Sequence, residues 1–328
     1  MTIRIGTRAS KLALTQTQQT ADRLAAVGGF PVELVHIKTE GDVKTGSLSQ
    51  MGGTGVFVAA LRDALLAETC DVAVHSLKDL PTGAAVGLSI AATPKRVDVR
   101  DVLCARDGLT LAELPGGAKV GTGSPRRAAQ LRAARPDIEV LDIRGNVDTR
   151  LGRVPGLPGN ATDEVVPGKS CDLDAVVLAA AGLERMDRLD TVSEFFETDV
   201  MLPAPGQGAL AIECRTEDAP HVEGPNGVLA QALAALNDDD TRLAVTAERA
   251  VLARLEAGCA APVGAYAFRK GSMLHLEAVV CAVDGTKTVR EKKATDGLTE
   301  VGATLLGIEV AELLLAAGAA EIADLAAS

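Results

Sequence analysis

Apolar positions along this chain follow two rhythms that succeed one another from the start. Ile3-Arg4-Ile5 reads as a short strand, and helical spacing from Lys11 to Val27 follows it, ended by Gly28-Gly29. Val32 to Ile37 alternates as a second strand. Residues 40–54 hold four glycines and no apolar period, the pattern of a mobile loop. Val56 to Glu68 is amphipathic at helical spacing. Asp71-Val-Ala-Val-His75 reads as a buried strand running into Ser76-Leu-Lys-Asp79. A second unit begins near residue 100. Lys119 to Thr122 is a strand and turn, and Ser124-Pro125 an N-cap with proline at the first helical position. That helix runs to about Ala134, where Pro136 stops it. Ile138 to Ile143 and Ala175 to Leu178 are further strands. Between them, residues 153–171 hold three Pro and three Gly and read as an exposed insertion. Strands alternating with helices predict an α/β fold with mainly parallel sheets.

The two units echo each other. Ile5-Gly-Thr-Arg-Ala-Ser10 and Val120-Gly-Thr-Gly-Ser124 are each a strand, a turn and a serine near a helix start, which predicts two similar lobes facing across a cleft. Met201 to Gly208 reads as a crossing linker, and Ala209 to Cys214 as a strand returning to a sheet. The last hundred residues form a third unit. It holds a long helix, Thr241 to Ala257, capped by the Asp238-Asp-Asp run and ended by Gly258. Strands around 263–288 and an Ala-rich helix complete it.

Composition narrows the function. The 328 residues suggest two or three domains, and 47% hydrophobic content is enough for sizeable cores. A formal charge of −11, five Phe, one Tyr and no Trp argue against a nucleic-acid partner. The six Cys are too sparse for a disulfide scaffold, and none is paired at metal or redox spacing. Four scattered His leave no zinc arrangement. The first residues lack the apolar region of a signal peptide, and Glu309 and Glu312 break the C-terminal apolar segment, so the expectation is a cytoplasmic protein without a membrane span.

Charge is uneven. Between Arg100 and Arg153 there are ten Lys/Arg against seven Asp/Glu, a net +3 in an acidic chain. Arg126-Arg127 sit at a helix start, where the dipole disfavours cations. Two guanidiniums beside Ser and Thr hydroxyls make sense there if an anion occupies the site. Arg144 and Arg150 extend the patch. For any one of these arginines a solvated face is the ordinary account; the cluster points to a cationic cleft for a ligand with several carboxylates or phosphates. Ser76, Lys78 and Asp79 lie at a strand end, where open α/β sheets place ligands. Asp79 is either a carboxylate that stabilises a cation, or a cap or ion-pair partner. His75 reads as a core histidine. Cys259 follows Gly258 at a helix C-terminus, which disfavours a thiolate, so it suits an anchor that reacts once better than a turnover nucleophile. The remaining cysteines read as packing residues.

Seven stretches, in order and across nearly the whole chain, resemble the porphobilinogen deaminase (hydroxymethylbilane synthase) family. They are Ile5-Gly-Thr-Arg-Ala-Ser10, Asp71 to Pro81, Val120-Gly-Thr-Gly-Ser-Pro-Arg-Arg127 and Ile143 to Leu151. Leu178 to Arg185, Leu202 to Arg215 and Ala247 to Cys259 complete the set. The resemblance implies an α/β protein of three domains. Two are lobes like those of periplasmic solute-binding proteins, and the third is a smaller α+β C-terminal domain. Boundaries are placed at 1–98 with 205–226 for lobe 1, 99–204 for lobe 2 and 227–328 for the C-terminal domain. It also implies a dipyrromethane cofactor held covalently through Cys259. Four porphobilinogens are then condensed head to tail with loss of ammonia, and water releases hydroxymethylbilane. The family positions assign Asp79 to stabilising the azafulvenium cation and Arg8 to proton donation. Ser76, Lys78, Asp79, Thr122, Ser124, Arg126 and Arg127 would hold the cofactor. Arg8, Ser10, Gln16, Phe57, Arg144, Arg150 and Arg185 would hold substrate or the growing chain. The family resemblance further implies a monomer, while the composition and the broken apolar stretches noted above leave neither nucleic acid nor membrane as an expected partner.

Each pyrrole carries acetate and propionate, so a growing chain gains two negative charges per ring, which matches the arginine-rich segment. The chain departs from the family pattern at Gln50 and Thr54, where lysines are common, so any role of loop lysines in substrate capture or closure is either reduced here or moved to Lys44. Pro125 and Lys11 also differ, and both suit a helix first turn. Two other readings stand beside this one: a non-catalytic, two-lobed anion-binding protein, and an inactive paralogue.

Overall fold

The structure is a computed structural model that describes residues 1–37, 55–157, 171–220, 227–258 and 261–325, without the side chains of residues 55–57. The expected loop at 40–54, with Lys44, Gln50 and Thr54, falls outside the described residues, as do Cys259 and most of the 153–171 insertion.

In chain order the first stretch holds β1 (Ile3–Thr7), α1 (Lys11–Gly28), β2 (Val32–His36), α2 (Gly55–Leu66), β3 (Val72–Ser76) and β4 (Leu88–Ala92). The second holds β5 (Asp101–Ala105), β6 (Lys119–Thr122), α3 (Pro125–Ala134), β7 (Glu139–Asp142), α4 (Val147–Leu151), β8 (Ala175–Ala179), α5 (Ala180–Arg185) and β9 (Glu194–Phe195). Then come β10 (Leu210–Arg215), α6 (Val228–Leu236) and α7 (Asp239–Arg254). The chain ends with β11 (Val263–Lys270), β12 (Met273–Cys281), β13 (Thr288–Thr295), α8 (Glu300–Ala316) and α9 (Ala319–Ile322).

The caps form where the sequence placed them. Ser10 Oγ accepts from Ala13 N, Ser124 Oγ from Arg127 N and Asp238 Oδ1 from Thr241 N, while Gly29 closes α1 in the left-handed conformation. The expected helix end at Gly258 is corrected to Arg254, because Leu255 caps α7 and Glu256 turns to φ 52°.

The two lobes share one topology. Their five-stranded sheets run β2-β1-β3-β10-β4 and β7-β6-β8-β5-β9. In each, three neighbouring strands are parallel, and the fourth in order is antiparallel to both of its neighbours. That reversed strand is the one each lobe receives next to a crossover: β10 re-enters the first sheet, and β5 begins the second. Sequence reading had not marked β4 or β5 as strands.

One boundary is corrected. Helix α6 was expected in the C-terminal domain, from residue 227. Instead Leu229, Ala232, Leu233 and Leu236 pack with Ile3, Ile5, Ala21 and Leu24 in the core of lobe 1. Its apolar face fits the groove between α1 and β4, and burying it there outweighs its sequence nearness to α7.

The third core lies between the antiparallel sheet β11-β12-β13 and helices α7 and α8. Those helices cross closely at Gly307, where a Cβ would lie 2.3 Å from the Ala247 carbonyl. Two crossovers, residues 93–100 and 196–209, join the lobes and run side by side. Gly208, at φ +84°, permits this approach, since a Cβ there would meet the Val97 oxygen at 2.8 Å. The buried Glu248 of α7 clamps both. It accepts from Arg96 Nη1 at 2.6 Å and Nη2 at 3.0 Å on the first crossover, and from Gly206 N at 2.6 Å on the second. Among the described residues no helix is long and apolar enough to cross a membrane.

Candidate active site

The carboxyl ends of the parallel strands in both lobes carry the residues singled out from sequence. In lobe 1, β1 delivers Arg8 and Ser10, and β3 ends at Ser76 before a single 3-10 turn, Leu77–Asp79. Ser76 Oγ lies 3.3 Å from Gln16 Nε2 of α1. The turn is fixed from below: Leu77 is buried, its N–H donates to the Ala209 carbonyl at 3.0 Å, and Leu80 N donates back to Leu77 O. Asp79 is half-buried, and its carboxylate takes no hydrogen bond or ion pair from another described residue. Its charge acts on the neighbouring Lys78, raising the pKa of that ammonium against the larger effect of burial. His75 is a core residue as expected, with Nε2 3.2 Å from the buried Glu213. Cys70, Cys104, Cys214 and Cys281 are buried packing residues, whereas Cys171 is exposed.

In lobe 2, Thr122 Oγ1 accepts from Ser124 N at 3.2 Å, shaping the turn into α3. Arg126 and Arg127 are 4% and 6% exposed, so these are interior guanidiniums rather than a solvated face. Both reach the fully buried Asp101 at the start of β5. Arg126 Nη1 and Arg127 Nη2 each lie 2.8 Å from its carboxylate. Arg126 Nη1 also donates to the Leu202 carbonyl at 2.6 Å, and Arg127 Nη1 to Val177 O at 3.2 Å. Burial pushes the Asp101 carboxyl up, but Arg126 and Arg127 outweigh it and hold it down at about 2.

Asp101 extends the network to the other lobe. Gln207, on the second crossover, donates Nε2 to Asp101 at 2.9 Å and accepts from Lys78 Nζ at 3.3 Å. Burial, then the Arg127 charge, pushes the Lys78 ammonium down to about 8. Arg150 of α4 donates to Gly145 O at 2.8 Å, and Arg144 pairs with Asp142 at 3.1 Å. Their guanidiniums flank Gly123: a Cβ there would stand 3.7 Å from Arg150 Nη2 and 3.8 Å from Arg144 Nη1. Burial, then the charges of Arg127 and Arg144, pushes Arg150 down to about 10. Arg185 of α5 is drawn to the crossover, donating to Gly208 O at 2.9 Å, and burial pushes it to about 10 as well.

The fold therefore gathers Lys78, Arg126, Arg127, Arg144 and Arg150 into one cationic surface, with Asp79 beside it. The buried Asp101 and the exposed Asp142 offset part of that charge. Arrangements of this kind hold several ligand carboxylates by charge-assisted bonds. Sequence reading missed Asp101 and Gln207. Asp101 entered only as one acid in a regional tally, and Gln207 lay in a stretch read as a linker. No local pattern could have marked either, since each acts on a partner far along the chain. Among the described residues, no group of His, Cys, Asp or Glu could hold a metal ion. The side chain of Phe57, and all of Cys259, lie outside what is described.

Comparison with known proteins adds an independent line. The family described as "Porphobilinogen deaminase, dipyromethane cofactor binding domain" matches residues 3–223, and "Porphobilinogen deaminase, C-terminal domain" matches residues 242–316. A protein named porphobilinogen deaminase from Cutibacterium acnes is 56% identical, covering 99% of this chain and 98% of its own length. Its namesake from Thermobifida fusca is 53% identical, over 99% and 97%. Among solved structures, a periplasmic substrate-binding protein of an ABC transporter from Coxiella burnetii aligns at TM-score 0.42 and 14% identity. That alignment covers 71% of this chain and 91% of the other.

Proposed function

Because the chain belongs to the porphobilinogen deaminase family, we propose that the cleft described above performs that family's reaction with the residues named here. The protein is a transferase of tetrapyrrole biosynthesis that uses a dipyrromethane cofactor, deaminates porphobilinogen and joins four units into hydroxymethylbilane. Neither a two-lobed anion-binding protein nor a paralogue without turnover accounts as well for full-length identity above one half.

The residues fit an acidic pyrrole cofactor. The buried Arg126 and Arg127 and the half-buried Lys78 form a donor set, and Arg126 Nε is a buried donor with no partner among the described residues. A ligand carboxylate supplies what that set lacks. We assign Ser76, Lys78, Thr122, Ser124, Arg126 and Arg127 to holding the cofactor carboxylates, and Cys259 to its thioether anchor. When bound, the group supplies the nucleophilic pyrrole carbon that starts each chain.

Asp79 carries the proposal. A half-buried carboxylate beside a cationic surface is suited to a reaction that creates positive charge on an otherwise acidic ligand. As ammonia leaves porphobilinogen, the pyrrole that remains becomes electron-poor. Asp79 holds the pyrrole N–H and stabilises that charge where it develops. Arg8, Ser10, Gln16, Phe57, Arg144, Arg150 and Arg185 are assigned to substrate and the lengthening chain, and Arg8 also to protonating the departing amine. The reading includes a cytoplasmic monomer that takes neither nucleic acid nor membrane as partner.

Intact mass of the denatured protein, beside Cys259→Ser, tests the assignment. The expected result is an excess of two linked pyrrole units that is absent from the variant. A bare polypeptide mass that persists after incubation with porphobilinogen refutes it.

A further inference from the structure

Helix α7 grips two different parts of the molecule with adjacent residues. Glu248 turns inward to the crossovers, while Arg249 reaches lobe 1. Arg249 donates Nη1 to the Leu80 carbonyl at 3.0 Å and Nη2 to the Pro81 carbonyl at 2.7 Å. These carbonyls follow directly on Asp79. One helical turn earlier, Val245 packs with Leu77 and Leu80 in a small core of its own, so the 3-10 turn is held by apolar contact at its base and by Arg249 at its exit. Residues 81–84 are exposed, and the Arg249 bonds tie that stretch to the C-terminal domain. The same helix ends at Arg254, five residues before Cys259.

We propose that Arg249 is a positioning residue that fixes the Asp79 turn to the helix leading to the anchor thiol. It acts through the two backbone carbonyls. One helix thus holds the turn that carries the carboxylate stabilising the cation. A bidentate guanidinium suits this task, because two parallel bonds fix direction as well as distance. The inference rests on the assignments of Asp79 and Cys259 made above.

The surroundings provide a direct test. Arg249 stands on the wall of a cavity of about 450 Å³ between lobe 1 and the C-terminal domain, shared with Leu77, Val245, Arg62 and Glu213. Removing the side chain opens a space that a free guanidinium ion can enter. Arg249→Ala, Arg249→Lys and Asp79→Asn are compared with Arg254→Ala, also on α7, which removes an exposed pair with Glu312 of α8. The holoenzymes are measured for kcat and KM with porphobilinogen, for cofactor by intact mass, and for amide hydrogen exchange over residues 77–82. Arg249→Ala is expected to keep its cofactor, to lose about 10- to 100-fold in kcat with KM nearly unchanged, and to exchange faster at the amides of Asp79, Leu80 and Thr82. Millimolar guanidinium restores much of that kcat, and Arg249→Lys lies between. Wild-type kcat in Arg249→Ala, or a loss of kcat with unaltered exchange and no rescue, overturns the proposal. If Asp79→Asn turns over normally, the underlying assignment fails instead. An inactive Asp79→Asn beside a fully active Arg249→Ala overturns the positioning role alone.

Discussion

Asp101→Asn isolates the internal counter-ion of the cationic surface. Its carboxylate is fully buried and serves Arg126, Arg127 and Gln207 together. A pKa of about 2 against an ordinary 3.8 corresponds to roughly 2 kcal/mol of net preference for the charged form. Because the folded value is the lower one, that stability is present above pH 3.8 and is lost as pH falls through about 2. The variant also leaves two interior guanidiniums without a protein carboxylate, and breaking such a buried pair costs about 3–5 kcal/mol. At about 2 °C per kcal/mol for a long chain, Tm of the cofactor-free protein should fall by roughly 6–10 °C. Ligand carboxylates replace part of the lost charge, so the loaded protein should fall by less. The assay is thermal and urea unfolding of both forms, wild type beside variant. Equal losses in the two forms, or a loss below about 1 kcal/mol in the cofactor-free protein, would refute the view that Asp101 and the ligand balance the same arginines.

Two further outcomes follow from the same geometry. Lys78 titrates near 8 when folded and at 10.5 when unfolded, so between those values the unfolded chain binds more protons and the cofactor-free protein gains stability as pH rises. Binding of porphobilinogen to the vacant cofactor site of that cofactor-free protein should do the reverse, weakening as pH climbs through 8 with proton uptake seen by calorimetry in buffers of different ionisation heat; Lys78→Met should abolish that dependence, and a flat profile in the wild type would exclude Lys78 from the anion site. Glu248→Gln should cost about 3–5 kcal/mol in urea unfolding, because it leaves the buried Arg96 guanidinium without its carboxylate; a loss within 0.5 kcal/mol, as for an ordinary surface change, would show that the clamp on the crossovers is not ionic.

Much of this molecule was legible along the chain. The caps at Ser10, Ser124 and Asp238, the glycine end of α1, and the alternation of strands with helices all depend on residues within a few positions of each other. The basic segment and the seven ordered stretches marked the surface that carries Arg126, Arg127, Arg144 and Arg150 before any contact was known. What the chain order hid is where its distant parts meet. Lys78 finds Gln207 across 129 residues, Arg96 finds Glu248 across 152 and Arg249 finds Leu80 across 169. Helix α6 was assigned to the wrong core for the same reason: its apolar face is visible in sequence, its partner is not. Local propensity and capping are set by neighbours and can be read in order. The charge state of Lys78, the counter-ion of the arginine pair and the grip on the Asp79 turn come from burial and from partners that only folding brings together.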